Sequence, residues 1–244
     1  WQNSGNQKKD NLSHNDIWAI YQDRKGRMWI GTNGGGLNLF VEGGKEKFLK
    51  WMADENGLSS NSINAIIEST NKKYTSDDKT ILWIATDNGL NKFIIKNSPN
   101  DLIPDNSNVE IKQYSAKQGL LNNSIKAISE DDKGNLWVTT GKGISLFDID
   151  KEVFINFTNA DGIFDSDFNT SSILKDYTGK VYAGSVKGLN VFVPDNIKLS
   201  SFKPAIVFTN FQIFNQPVKI GDNSPLKENL NKSKFIELSY NQNV

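Results

Sequence analysis

The 244-residue chain has no cysteine and a single histidine, His14. That excludes disulfides, zinc–thiolate centres, thiol nucleophiles and a zinc site built on several imidazoles, so neither a metal nor another cofactor is expected. A cysteine-free chain fits cytosol and periplasm alike. Charge of one sign is also lacking: 28 Lys and Arg stand against 28 Asp and Glu. No global basic field draws nucleic acid or anionic lipid, and partners must be recognised locally. No apolar run approaches the ~20 residues that span a bilayer, and residues 1–20 carry neither the apolar core nor the cleavage site of a secretory leader.

What is present is a repeat. One pattern occurs four times: a polar turn, a short apolar run, a charged turn, an aromatic-centred strand and a Gly-led strand. The first copy reads Leu12-Ser13-His14-Asn15-Asp16-Ile17, Ala19-Ile20, Asp23, Gly26, Trp29-Ile30-Gly31-Thr32 and Gly36-Leu37-Asn38-Leu39-Phe40. The others centre on Trp83-Ile84-Ala85-Thr86, Trp137-Val138-Thr139-Thr140 and Tyr182-Ala183-Gly184-Ser185, each followed by its own Gly-led word ending in Phe93, Phe147 or Phe192. In copies one, three and four an Asp is followed three residues on by Gly and three further by the aromatic (Asp23, Asp131, Asp176), as a tight hairpin requires.

The aromatic anchors recur about every 45 to 54 residues, near the ~40–50 residue period of a four-stranded propeller blade. Helical repeats are disfavoured, because the apolar runs are short, β-branched and interrupted by Gly and Asn. The fold class is therefore all-β: four β-propeller blades, from the C-terminal part of a propeller, then the first strands of an immunoglobulin-like sandwich. The first blade divides into strands Ile17–Gln22, Met28–Thr32, Leu37–Val41 and Lys47–Met52, and stacked blades would bury Trp29, Trp83, Trp137 and Tyr182 between them. Copy two carries long polar insertions, Ser69–Lys79 and Lys96–Asn108, which read as surface loops without a catalytic signature.

The expected organisation is the end of a preceding blade at 1–11, blades at about 12–57, 58–119, 120–162 and 163–203, and a partial second domain at 204–244. Alternating stretches there predict strands at Ile206–Phe208, Phe211–Phe214 and Phe235–Tyr240.

The blade wording, LSHNDIWAIYQDRKGRMWIGTNGGGLNLF and its relatives over residues 10–193, resembles the two-component regulator propeller repeats of bacterial hybrid two-component sensors. The fourth copy, with Asp161-Gly162-Ile163-Phe164 and Gly188 to Pro194, resembles the last blade before a Y_Y_Y domain, and residues 204–244 resemble the opening strands of that domain. The resemblance implies a periplasmic, often dimeric sensor of glycan fragments. Its membrane helix, histidine kinase, receiver and DNA-binding parts would lie outside this chain. An oligosaccharide ligand of the parent protein and a homodimer are the implied partners; nucleic acid is not contacted through this chain, and a membrane only through downstream segments.

Consecutive hairpins alternate ends, so the connections entering each blade and the turns between its second and third strands share one rim. That rim carries His14, Asn15, Asn33, Asn61, Asp87, Asn123, Lys142, Asp167 and Lys187, beside Trp18. Amides, carboxylates and ammonium groups suit sugar hydroxyls and acids. The same Asn and Asp residues also simply build turns, and Trp18 either stacks on a sugar or packs on a neighbouring blade. Gly34-Gly35-Gly36 lacks the Lys and helix of a phosphate loop, and no carboxylate pair can be placed for glycosidic cleavage. Catalytic and metal-binding residues are accordingly not expected. A propeller lyase or hydrolase and a purely structural or protein-binding propeller stand as alternatives.

Overall fold

A computed structural model describes residues 11–43, 47–97, 103–197 and 207–240. The expected tail of a preceding blade, 1–11, lies outside the described residues apart from Asn11. The chain divides into two compact units, Trp1–Ile197 and Lys198–Val244.

The first unit is four antiparallel sheets in chain order. Blade 1 comprises β1 (Ile17–Gln22), β2 (Met28–Thr32), β3 (Leu37–Phe40) and β4 (Phe48–Trp51). Blade 2 comprises β5 (Ile63–Glu68), β6 (Lys79–Thr86), β7 (Gly89–Lys96) and β8 (Val109–Tyr114). Blade 3 comprises β9 (Ile125–Glu130), β10 (Leu136–Thr140), β11 (Gly143–Asp148) and β12 (Val153–Phe157). Blade 4 has three strands among the described residues, β13 (Phe168–Lys175), β14 (Val181–Ser185) and β15 (Gly188–Phe192). Every sheet follows chain order, and the first strands β1, β5, β9 and β13 lie next to one another in sequence.

Two aromatic positions in each repeat explain the stacking. The Phe four residues after the Gly that opens the third strand of one blade meets the Trp of the preceding blade: Phe93 on Trp29 at 5.5 Å, Phe147 on Trp83 at 5.6 Å and Phe192 on Trp137 at 4.7 Å between ring centroids. All three Trp side chains are buried, and such pairs add about 0.5–1.5 kcal/mol beyond the area they bury. Tyr182 departs from the expectation. No later Phe covers it among the described residues, and it stays half-buried.

The Asp of each hairpin also has a defined task. Asp23 accepts from the N–H groups of Lys25 and Arg27, from Arg27 Nε at 2.6 Å and from Trp29 Nε1 at 2.9 Å. Asp131 does the same for Lys133, Asn135 and Trp137 Nε1, and Asp176 for Thr178, Lys180 and the Tyr182 hydroxyl. One carboxylate thus closes the turn and anchors the polar edge of the core aromatic. In blade 2 Ser69 occupies the place of the Asp, and Trp83 Nε1 has no hydrogen-bond partner among the described residues.

Blades are also clasped at the end opposite the rim. The last residue of each first strand reaches back to the turn of the blade before it. Glu68 accepts from Arg24 N and Nε, Glu130 from Thr70 N and Oγ1, and Lys175 pairs with Asp132. Between blades 2 and 3, Glu152 sits in the left-handed region at φ 54. Its carboxylate takes the Tyr114 hydroxyl at 2.7 Å and the Lys112 ammonium. The Lys112 and Tyr114 bonds hold the Glu152 carboxyl below the usual range. A depressed folded-state value means that the stabilisation is present above the unfolded value of ~4.3 and is lost as pH falls through the lower, folded one. Glu152→Gln is therefore expected to lower stability by up to ~1 kcal/mol at pH 7, with the gap to wild type closing below pH ~4 in denaturant titrations.

Among the described residues of the second unit, β16 (Gln212–Ile213) and β17 (Gln216–Pro217) alone pair, across a turn at Phe214 and Asn215 with φ 48 and 60. The expected strands are corrected here. Ile206 lies outside the described residues, Val207 and Phe208 join no ladder, with Phe208 bonded through its N–H and C=O to the Asn231 side chain, Phe211–Phe214 shrinks to Gln212–Ile213, and Phe235–Ser239 joins no ladder among the described residues. Alternation alone does not make a strand, because its N–H and C=O groups need a neighbouring strand. None pairs with Phe235–Tyr240 among the described residues.

Candidate functional site

The rim is assembled by clamps that recur in the sequence. The Asn of each Gly-Leu-Asn word is buried on the third strand and grips the turn entering its own blade. Asn38 accepts from Ser13 N and donates to Ser13 Oγ at 2.7 Å; Asn91 repeats this with Ser59; Asn190 accepts from Phe164 N. The Leu-Ser and Gly-Leu-Asn words are two halves of one clamp. In blade 3 Ser145 replaces the Asn and bonds Asn156, whose amide holds Gly119 O.

Adjacent blades are then joined loop to loop. Asn33 donates to Asp16 and accepts from Ser62 Oγ, while Gly34 and Gly36 donate to Asn61 O. Asn61 Oδ1 accepts from Ala53 N. At the next junction Asp87 accepts from Asn64 Nδ2 and Ser124 Oγ, Asn123 donates to Asn88 Oδ1, and Gly89 donates to Asn123 O. Asn33 with Asn61, and Asp87 with Asn123, are thus brought together, largely as joints between blades. His14 Nδ1 accepts from Asp16 N, leaving Nε2 exposed. Asn15 is exposed beside it. The exposed side chains of Lys142, Asp167 and Lys187 form no ion pair among the described residues. Burial opposes ionisation of neighbouring Asp165, but the N–H groups of Lys187 and Asp167 outweigh it and hold the carboxyl below its usual range.

Just inside the rim the first strands carry bulges. The extra residue is Trp18 in blade 1, Asn64 in blade 2 and Lys126 in blade 3. A bulge re-aims its side chain, and these three stand at equivalent places on neighbouring first strands. Trp18 is 40% exposed and Asn64 is fully buried. The Asn64 amide donates to Asp87 Oδ1 and Ile125 O, which fixes its orientation, and its Oδ1 has no donor among the described residues. Blade 4 replaces the single bulge by Asn169–Ser172 opposite Gly184. Ser171, at φ 57, donates from Oγ to Asn64 O at 3.0 Å. Asn64, Lys126 and this long bulge were not among the candidate residues. The signal for Asn64 and Lys126 is their alignment with Trp18; the blade-4 bulge has no counterpart in the other copies.

A cleft of about 530 Å³ lies on the opposite side, between the β1–β2 and β5–β6 connections. It is lined by Arg24, Lys25, Glu68, Lys72, Thr75, Ser76, Asp77 and Thr80. Among the described residues no cluster of His, Cys, Asp and Glu could hold a metal ion.

Residues 11–34 and 119–142 match the two component regulator propeller model, each running from the entry turn of a blade into its second strand or the turn after it. The matched stretches belong to the first and third of the four repeats, which are thus similar to two-component regulator propeller repeats. A curated relative, histidine kinase P4 of Formosa agariphila, is 25% identical over 272 residues, covering 96% of this chain and 19% of its own length. The extracellular domain of the hybrid two component system BT3049 from B. thetaiotaomicron superposes with a TM-score of 0.66 at 29% identity, over 91% of this chain and 28% of that one. PorZ, a surface component of the type-IX secretion system of Porphyromonas gingivalis, shares the fold at 16% identity and a TM-score of 0.53, over 76% of this chain and 26% of its own. The chain spans under a third of the length of each. No helix among the described residues is long and apolar enough to cross a membrane.

Proposed function

We propose that this chain is part of the extracytoplasmic ligand-sensing region of a hybrid two-component sensor histidine kinase and response regulator. In this reading it works in the periplasm of a homodimeric inner-membrane protein, detects glycan-derived oligosaccharides and regulates polysaccharide utilisation. The supporting observation is the likeness, in repeat sequence and in fold, to the extracellular domain of a hybrid two component system. The chain's own part is recognition, not turnover.

The rim explains how recognition is relayed. Its loops bond blade to blade, so a ligand that prefers one spacing of those loops shifts the population of blade arrangements, by no more than its difference in affinity for them. Lys142, Asp167, Lys187 and His14 offer charged or polar groups to sugar hydroxyls, and Trp18 offers a ring face. The intact extracellular region is expected to bind one glycan class in calorimetric titrations against an oligosaccharide library. Failure to bind any glycan overturns the reading. Trp18→Ala is expected to weaken that binding about 3- to 10-fold, from the worth of a ring contact; unchanged affinity in the folded variant removes Trp18 from the site.

A further inference from the structure

The insertion Ser69–Lys79 has two differently used sides. Towards blade 3 it is fastened: Thr70 binds Glu130, the Asn71 amide reaches Lys133 O, and Lys73 pairs with Asp150 at 2.7 Å. Towards blade 1 it supplies Lys72, Thr75, Ser76 and Asp77 to the wall of the 530 Å³ cleft. A loop held this firmly on one side presents its other side as a preformed surface.

The donors and acceptors of that wall do not balance. Glu68 is paired, with each oxygen accepting from Arg24. The Lys25 and Lys72 ammonium groups form no ion pair among the described residues. Thr80, at 2% exposure, accepts from Arg27 and from Asn97, each at 3.0 Å, while its own O–H donates to no acceptor there. Its proton is therefore available to an acceptor placed in the cleft. Arg24 is half exposed and uses Nε and one terminal nitrogen, leaving the other for the cleft. Against these donors stands one uncommitted carboxylate, Asp77.

We infer that this cleft binds an anion: a carboxylate or sulfate ester carried on a small hydroxylated scaffold. The charged group is held by Lys25 and Lys72, and the scaffold hydroxyls face Asp77, Ser76 and Thr80. The site is on the side away from the rim, and anion binding here does not depend on the sensing reading, which contributes only the choice of saccharide probes.

The test titrates the full chain with inorganic sulfate, a uronic-acid disaccharide, a sulfated disaccharide and a neutral disaccharide of the same linkage, followed by calorimetry and amide chemical shifts. At least one anionic saccharide is expected to bind at least 10-fold more tightly than the neutral one, to weaken with added salt and to shift the amides of Lys25, Lys72 and Thr80. The two charged saccharides decide which anionic group is preferred. Lys25→Gln with Lys72→Gln is expected to reduce that affinity at least 10-fold with unchanged melting temperature. Lys142→Gln with Lys187→Gln removes the same charge from the rim, and a loss larger in the cleft pair than in this rim pair locates the anion at the cleft. Equal loss in both double variants, no loss in the first, or no binding of any anion to wild type overturns the inference. A saccharide that responds to the rim pair alone overturns the cleft while supporting sensing at the rim.

Discussion

Replacing Asp23 by Ala is expected to destabilise the propeller by about 3–5 kcal/mol, the usual cost of removing one member of a buried ion pair. Asp23 is 4% exposed, and the substitution strands two backbone N–H groups, the Trp29 indole N–H and one edge of the buried Arg27 guanidinium. Arg27 keeps its bonds to Asn97 and Thr80, so its charge stays buried with no carboxylate beside it. Asp131→Ala is expected to cost less, because its three donors include no ion pair. Asp176→Ala should cost least, about 1 kcal/mol, since water replaces much of what is lost. Denaturant unfolding of the three variants checks the order; equal losses would show that turn closure, and not the buried pair, dominates.

Gly89→Ala is expected to be comparably severe, at about 3–5 kcal/mol, through backbone strain and overpacking together. Gly89 sits at φ +125, and a Cβ there would lie 2.5 Å from the Tyr114 carbonyl oxygen, part of a paired backbone that cannot swing aside. The same glycine donates to Asn123 O, so displacing it also opens the joint between blades 2 and 3. Gly26→Ala is the control. Its φ of +81 carries a left-handed penalty, but nothing lies within 4 Å of the added carbon, and ~1–2 kcal/mol is expected. Thermal unfolding with hydrogen exchange at Asn123 and Ser124 separates the two; similar losses would assign the whole effect to φ.

Much of the blade architecture was legible because it is written in local words. An Asp, a Gly and an aromatic at fixed spacing dictate a hairpin, and β1 and β2 run over the residues the pattern implies. The aromatic period revealed the stacking, yet the Phe of each Gly-led strand stood in plain view without revealing that it belongs to the neighbouring blade's Trp. A contact between repeats has no signature within one repeat. For the same reason Asn33, Asn61, Asp87 and Asn123 were readable as rim residues, while their use as joints between blades was not. Trp18 was visible as an oddity, but the bulge that makes its position special needs the register of two strands. The Ser69–Lys79 insertion looked featureless because its donors acquire meaning only opposite Arg24 and Lys25 of another blade. Phe235–Tyr240 is the opposite case, with a clear pattern and no pairing strand among the described residues.

The clasps opposite the rim carry information as well as free energy. At the first junction the turn is cationic and the strand end anionic, Arg24 with Glu68; at the third the signs are exchanged, Asp132 with Lys175. The middle one uses a neutral turn residue, Thr70, against Glu130. A chain of look-alike modules risks docking the wrong pair as it folds. Glu68 offered to Asp132, or Lys175 to Arg24, would set like charges against each other and disfavour the misordered stack. Each junction therefore has its own address, and shuffling blades without their clasp residues is expected to scramble assembly although every hairpin remains intact.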